Sequence, residues 1–251
     1  SFFLLKILLP MKHESTRSGR VRTNLTGELA YASFVPANLP PEPPIELDQD
    51  MQRLLSLSRE KLSVLQAEAR HIPNVNIFLS MYVRKEALFS SQIEGTQATL
   101  DDMLDPCIDE NSNRDVAEAS DNVRAALYAI EQITSESGLP LSLRLLKETH
   151  SVLLTHARGA DKSPGTFRTT QNWIGPTGCT LRSASYVPPN PEDMKQGLYA
   201  LEAYIHEVSD LDPLLRAGLI HYQFETIHPF ADGNGRIGRL LILLFLLEQG
   251  V

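Results

Sequence analysis

From Leu47 to the end of the chain, apolar residues recur at helical spacing with one interruption, and this confines the chain to a mainly α fold. Leu54, Leu55, Leu57, Leu62, Leu65 and Ala69 predict an amphipathic helix over 47–71. A second runs from Ile77 to Ile93 and closes at Gly95, a candidate C-cap. Thr99, ahead of Asp101 and Asp102, caps a short third helix. Further helices fit 116–135, 141–156, 191–208 and 213–227, and the last covers 238–248. The interruption spans Ser163 to Pro189. There Gly165, Pro176, Gly178, Pro188 and Pro189 punctuate short runs such as Thr166-Phe167-Arg168-Thr169, which predicts a β-hairpin or exposed flap. Trp173, inside it, is read as a core residue.

The part before Leu47 is different. Residues 1–34 show little periodicity and read as a tail. Pro36, Pro40, Pro41, Pro43 and Pro44 then make 35–47 an extended strap, a better reading than an SH3-type ligand. Phe2 to Leu9 is a short apolar run broken by Lys6, with no small-residue cleavage site after it, and makes a poor signal peptide. Leu240 to Leu247 is eight apolar residues, far short of the roughly 20 that span a bilayer, so a buried helix is expected. Met11 is a candidate initiator, and the end, close behind an apolar helix, suggests truncation. The expected division is 1–46 as tail and strap, 47–135 as an N-terminal helical region, and 136–251 as the core.

A net charge of −8 argues against broad binding to nucleic acid, which relies on Lys and Arg contacts to phosphates. The two cysteines, Cys107 and Cys179, lie far apart with no metal-ligand spacing, which points to a reducing compartment and a cytoplasmic location with no membrane partner.

The densest chemistry lies between the last two helices. Pro229 disfavours helical geometry at His228, and Asp232-Gly233 and Asn234-Gly235 supply two turn dipeptides. The next helix opens with Arg236 and Arg239, three residues apart and on one face. A glycine-rich helix N-terminus favours anions through its orphan N–H groups and dipole, and arginines add charge-assisted bonds to phosphate. Asp232 could hold a Mg²⁺ that bridges phosphates, and His228 stands at the rim as a candidate general base. The chemistry read from these residues is phosphate-directed transfer with a histidine base.

These residues resemble the Fic family, whose pattern H-P-F-x-[D/E]-G-N-G-R-x-x-R is matched at all nine fixed positions between His228 and Arg239. The resemblance implies a Fic-type helical bundle with a small β-hairpin flap and an N-terminal helical extension. It also implies a protein adenylyltransferase, moving AMP from ATP to a Ser, Thr or Tyr hydroxyl of a target protein or of itself. His228 would deprotonate that hydroxyl, and Asp232 would bind Mg²⁺. Gly233, Asn234 and Gly235 would form the anion hole, with the Asn234 side-chain amide contributing. Arg236 would contact the phosphates, Arg239 would pair with the γ-phosphate, and Phe230 would anchor the loop. The flap, with Thr166, Phe167 and Arg168, would receive the target by strand addition. Gly235, where relatives that phosphorylate carry lysine, favours AMP transfer.

Upstream, Ser90-Ser91-Gln92-Ile93-Glu94-Gly95 resembles the family's inhibitory pattern [S/T]-x-x-x-E-[G/N]. Ser90 and Glu94 share a helix face at i and i+4. By resemblance, Glu94 would pair with Arg239 and hold the guanidinium that the γ-phosphate needs. A homodimer is a further expectation, since release of inhibition is linked to dimers in this family type. Removal of AMP and another donor are alternative activities, and a non-catalytic regulatory module is a third. A di-iron reading of Glu225-Thr226-Ile227-His228 lacks its second Glu-x-x-His, and the P-loop pattern is missing.

Overall fold

The computed structural model describes residues 17–73, 75–105, 113–155 and 163–251, the side chains of 75–78 excepted. The apolar run Phe2 to Leu9, Met11 and Cys107 lie outside the described residues. In chain order the elements are β1 (Gly19–Asn24), β2 (Tyr31–Pro36), α1 (Gln49–Ala69), α2 (Val75–Ile93) and α3 (Leu100–Leu104). They continue with α4 (Arg114–Thr134), α5 (Leu143–Leu153), α6 (Pro191–His206), α7 (Pro213–Ile227) and α8 (Asn234–Glu248). The fold is mainly helical, as the periodicity predicts, and among the described residues it carries one small antiparallel sheet.

Side-chain caps define most helix starts. Asp48, Thr99, Asn113, Ser142, Asn190 and Asp212 each accept a backbone N–H from the first turn of the helix they precede. Thr99 and Asp102 form a reciprocal capping box. Helices α4 and α8 pack against each other, α5 and α2 flank α4, and α6 flanks α7, which lies against α8. The core between them includes Leu145, Leu146, Leu153, Met194, Leu198, Leu201, Ile220, Phe224, Leu241 and Phe245. The apolar run of α8 is therefore an interior helix, and no helix among the described residues is long and apolar enough to cross a membrane. Helix α1 buries none of its residues and is tied to α7 through Arg59 Nε, 2.6 Å from Asp212.

Three local expectations are corrected. Paired strands form in 19–36, read as tail and the start of the strap, and not in the flap, where a single bridge joins Ile174 and Tyr186. The residues buried along the hairpin include Gly19, Asn24, Ser33 and Phe34, so no apolar alternation marks it in the sequence. Docking fixes it instead. The Phe34 N–H donates to Val187 O at 2.9 Å, Arg22 meets Asp193 at 2.6 Å, and Asn190 Nδ2 donates to Asn24 at 2.8 Å. Trp173 lies on the flap surface, 42% exposed, because its indole N–H is satisfied locally by Cys179 O. Helix α8 starts four residues earlier than predicted, since Gly233 at φ +75° turns the chain and Gly235 joins the first turn.

The strap runs along α7, where Gln223 Nε2 donates to Ala37 O at 2.9 Å. Asn122 on α4 donates to Ala87 O and to Ser91 Oγ on α2, at 2.7 and 3.1 Å. That buried amide ties the end of α2, where Ser90 and Glu94 lie, to α4.

Candidate active site

His228 is the C-cap of α7 and adopts φ +50°, ψ +63°, a left-handed conformation uncommon for a residue with a Cβ. The proline after it ends the helix as predicted, although extended backbone is the commoner outcome before proline. Its N–H still completes the helix through Phe224 O at 2.9 Å. The ring Nδ1 lies 3.3 Å from Glu225 O, so Nδ1 carries the proton, and Nε2 keeps a lone pair with no partner among the described residues. Burial pulls the imidazole pKa from 6.5 to about 4, and Arg168 adds to this; the Glu225 carbonyl and the Glu94 charge act against it. His228 is thus neutral at pH 7 and able to accept a proton.

The loop after it is closed from within. Phe230 is fully buried, stacked on His150 at 3.7 Å and 5.1 Å from Phe167. Asn234 accepts from the Phe230 N–H at 2.8 Å and donates to Phe230 O at 2.9 Å. Its side-chain amide, expected to face an anion, is therefore spent on holding the turn. His150, on α5, donates from Nε2 to Asp232 O at 3.0 Å and accepts the Gly165 N–H on Nδ1 at 2.9 Å. It thereby joins the flap to the loop, and burial drops its pKa to about 4. Sequence reasoning missed this residue. Its spacing from Leu146 and Leu153, i+4 and i+3 on one apolar face, was the signal that could have found it.

Gly233 caps α8 with no side-chain bond, so backbone N–H groups of the first turn remain open to an anion. Beside them Asp232 accepts the Gly233 N–H at 2.6 Å, with its side chain 41% exposed. One exposed carboxylate beside open N–H groups fits a single oxygen ligand for a divalent cation such as Mg²⁺. Among the described residues no three His, Cys, Asp or Glu side chains gather to hold a metal by themselves. His221 Nδ1 faces Gly238 O at 2.8 Å, so it and His228 are each committed to a backbone carbonyl.

The two motif arginines part company. Arg236 is 3% exposed and points inward, 3.0 Å from the buried Glu118 of α4 and 3.8 Å from Asp232. Arg239 points to the end of α2. Its Nε donates to Ser90 Oγ at 2.9 Å, and Nη2 donates to Ser90 O at 2.9 Å and to Glu94 Oε1 at 2.8 Å. A shared helix face thus delivers two guanidiniums to different carboxylates, because the interior one needs a buried counter-charge. Gly235 makes room for the outer pair: a Cβ there would lie 2.2 Å from Glu94 Oε1. Behind the pair, Glu225 has one buried carboxyl oxygen with no hydrogen-bond partner among the described residues, and burial raises its pKa to about 7, with Arg239 opposing.

Of the three flap residues, Thr166 is exposed, and Phe167 is partly buried under Lys147 Nζ at 4.8 Å. Arg168 does not face outward for a target. It is 5% exposed and bonded to backbone carbonyls around His228.

A model of the Fic/DOC family matches residues 140–246, and a model of the Fic/DOC family N-terminal region matches 52–131. A protein adenylyltransferase Fic of Nematostella vectensis is 26% identical over 212 residues, 82% of this chain and 46% of its own length. That of Drosophila grimshawi is 33% identical over 114 residues, 45% of this chain and 21% of its own. The chain thus spans less than half the length of these curated relatives. Among solved structures, a Fic family protein from Desulfovibrio desulfuricans superposes with a TM-score of 0.61 at 23% identity, over 83% of this chain and 60% of its own. Fic-1 of C. elegans gives 0.57 at 23%, over 80% and 60%. At these identities the superpositions establish a shared fold.

Proposed function

The chain belongs to the Fic/DOC family, and from this premise we propose that it is a protein adenylyltransferase, carrying AMP from ATP to a Ser, Thr or Tyr hydroxyl of a protein and restrained by its own Glu94. The observation that carries the reading is the convergence of three parts on one turn: a neutral histidine with a free Nε2, an uncapped helix N-terminus, and an arginine held by a carboxylate from α2.

The target hydroxyl loses its proton to His228 Nε2, and its oxygen attacks the α-phosphorus in line. The bond from that phosphorus to the bridging oxygen breaks, and pyrophosphate leaves. The open N–H groups of Asn234 and Gly235 bind the phosphate oxygens, while Gly233, its own N–H held by Asp232, shapes the turn; such an arrangement is worth most for charge that develops in the transition state. The triphosphate's negative charge raises the His228 pKa toward the range a base needs at neutral pH. Asp232 would hold Mg²⁺, which supplies charge neutralisation at the phosphates when bound. Arg236, paired with Glu118, supports the loop from beneath, and Arg239 takes the γ-phosphate once Glu94 lets go. In this reading 47–135 carries the brake and 136–251 the transferase, with Thr166 and the exposed flap edge receiving the target.

The test uses two labels. Purified Glu94→Gly chain is incubated with Mg²⁺ and ATP labelled on either the α- or the γ-phosphorus. AMP transfer puts the α label on protein and leaves the γ label in pyrophosphate. A protein that binds ATP yet gains neither label, or gains only the γ label, would sink the proposal.

A further inference from the structure

Arg168 is a buried cation whose hydrogen bonds all go to backbone carbonyls. Nε donates to His228 O at 2.9 Å and Nη1 to Thr170 O at 3.1 Å. Nη2 donates to Pro189 O at 2.5 Å and to Ile227 O at 3.4 Å. Its own backbone N–H donates to Pro229 O at 2.9 Å. One residue of the flap therefore grips three consecutive carbonyls, 227, 228 and 229, at the point where α7 ends. Asn172 Nδ2 reinforces the grip at His228 O and Phe230 O, 3.4 and 3.2 Å away.

We infer that Arg168 is a positioning residue that holds His228 in its left-handed conformation and so aims the base at the anion-binding turn, the role of His228 as base resting on the function proposed above. The last carbonyls of a helix have no partner within it, and a left-handed C-cap turns them out of the ladder. Buried, such carbonyls need donors. A guanidinium offers five N–H groups in a rigid fork and can serve several carbonyls at once, which a lysine ammonium on a flexible stem cannot do in the same geometry. Burial weakens its hold on the proton, lowering the pKa to about 10, so it stays charged at neutral pH. A strained conformation persists where its surroundings over-determine it, and three of the five Arg168 bonds go to the left-handed His228 and its two chain neighbours. Flap and base are thereby one mechanical unit, so a disturbance of the flap reaches His228.

The experiment substitutes Arg168→Lys and Arg168→Met in the Glu94→Gly chain. Lysine keeps the positive charge, so any change in the His228 titration reports geometry. The imidazole signal is followed by NMR against pH, identified by its loss in His228→Ala. In the lysine variant the midpoint is expected to rise from about 4 by roughly a unit or more as the ring gains water. AMP transfer should fall about tenfold in kcat for lysine and about a hundredfold for methionine, with KM for ATP changed less than about threefold. A lysine variant with an unmoved titration and kcat within about twofold of its parent overturns the inference. If methionine does not fold, the lysine variant decides alone. If the parent transfers no AMP, the proposed activity falls, while the titration and the φ of His228 in a crystal structure of the lysine variant still decide the positioning role.

Discussion

Arg239 of α8 and Glu94 at the end of α2 lie 145 residues apart in sequence and 2.8 Å apart in space. Ser90, one turn earlier on α2, holds the same guanidinium through its hydroxyl and its carbonyl. The pair is partly exposed, with side chains 20% and 32% accessible, which keeps its net strength near the low end for ion pairs, about 1 kcal/mol. A contact of that size can be displaced by a triphosphate, as a brake requires.

On the function proposed above, removing the Glu94 charge should raise the rate of transfer. Glu94→Gln keeps the shape and deletes the charge, and Glu94→Gly deletes both. Incorporation of α-labelled AMP should rise about tenfold or more for glycine and by a smaller factor for glutamine. Equal rates for all three chains would detach Glu94 from regulation.

On the role proposed for His228, its loss should silence the chain without unfolding it. His228→Ala is expected to cut transfer by at least about a hundredfold. The ring makes one long contact, to Glu225 O, so the midpoint of thermal unfolding should move little. A large drop in that midpoint would recast His228 as structural.

Buried titratable groups set opposing pH trends. His228 and His150 have folded pKa values near 4 against an ordinary 6.5, so the unfolded chain takes the proton first. Their contribution is full above about pH 6.5 and is lost as pH falls toward 4. Glu225 behaves in reverse. Its folded pKa of about 7 exceeds the ordinary 4.5, so its contribution is full below about 4.5 and is lost as pH rises through 7. Denaturation of Glu225→Gln and the parent at pH 5 and pH 8 checks this. The variant should gain on the parent at pH 8 relative to pH 5, by at most about 3 kcal/mol.

The interior pair should be costly to break. Glu118→Ala leaves the buried Arg236 with the longer, 3.8 Å pairing to the partly exposed Asp232 and is expected to destabilise by about 3 kcal/mol in urea unfolding. Its effect on AMP transfer should track the unfolded fraction when assayed near the midpoint, since Glu118 supports the loop from beneath.

The helices were legible because period and caps are local. Pro213 to Ile227 was read to the residue, and the Thr99 cap is present with its box. Hairpin β1–β2 was not, because polar Asn24 and Ser33 are buried by bonding to each other and to Asn190. Such burial depends on a partner more than a hundred residues away, and no local pattern records it.

By itself, the sequence determined that a histidine, a carboxylate, glycines and two arginines meet at one helix start, since neighbours along a chain cannot be far apart. Tertiary structure alone decided which way each side chain points. Arg236 turns inward because Glu118 is buried beside it, and Arg239 turns outward because α2 brings Glu94 to it. Arg168, read as a target contact, turns to the carbonyls that the left-handed His228 exposes. In each case the physical reason is the same: a charge goes where its desolvation is matched, and the matching group comes from another element.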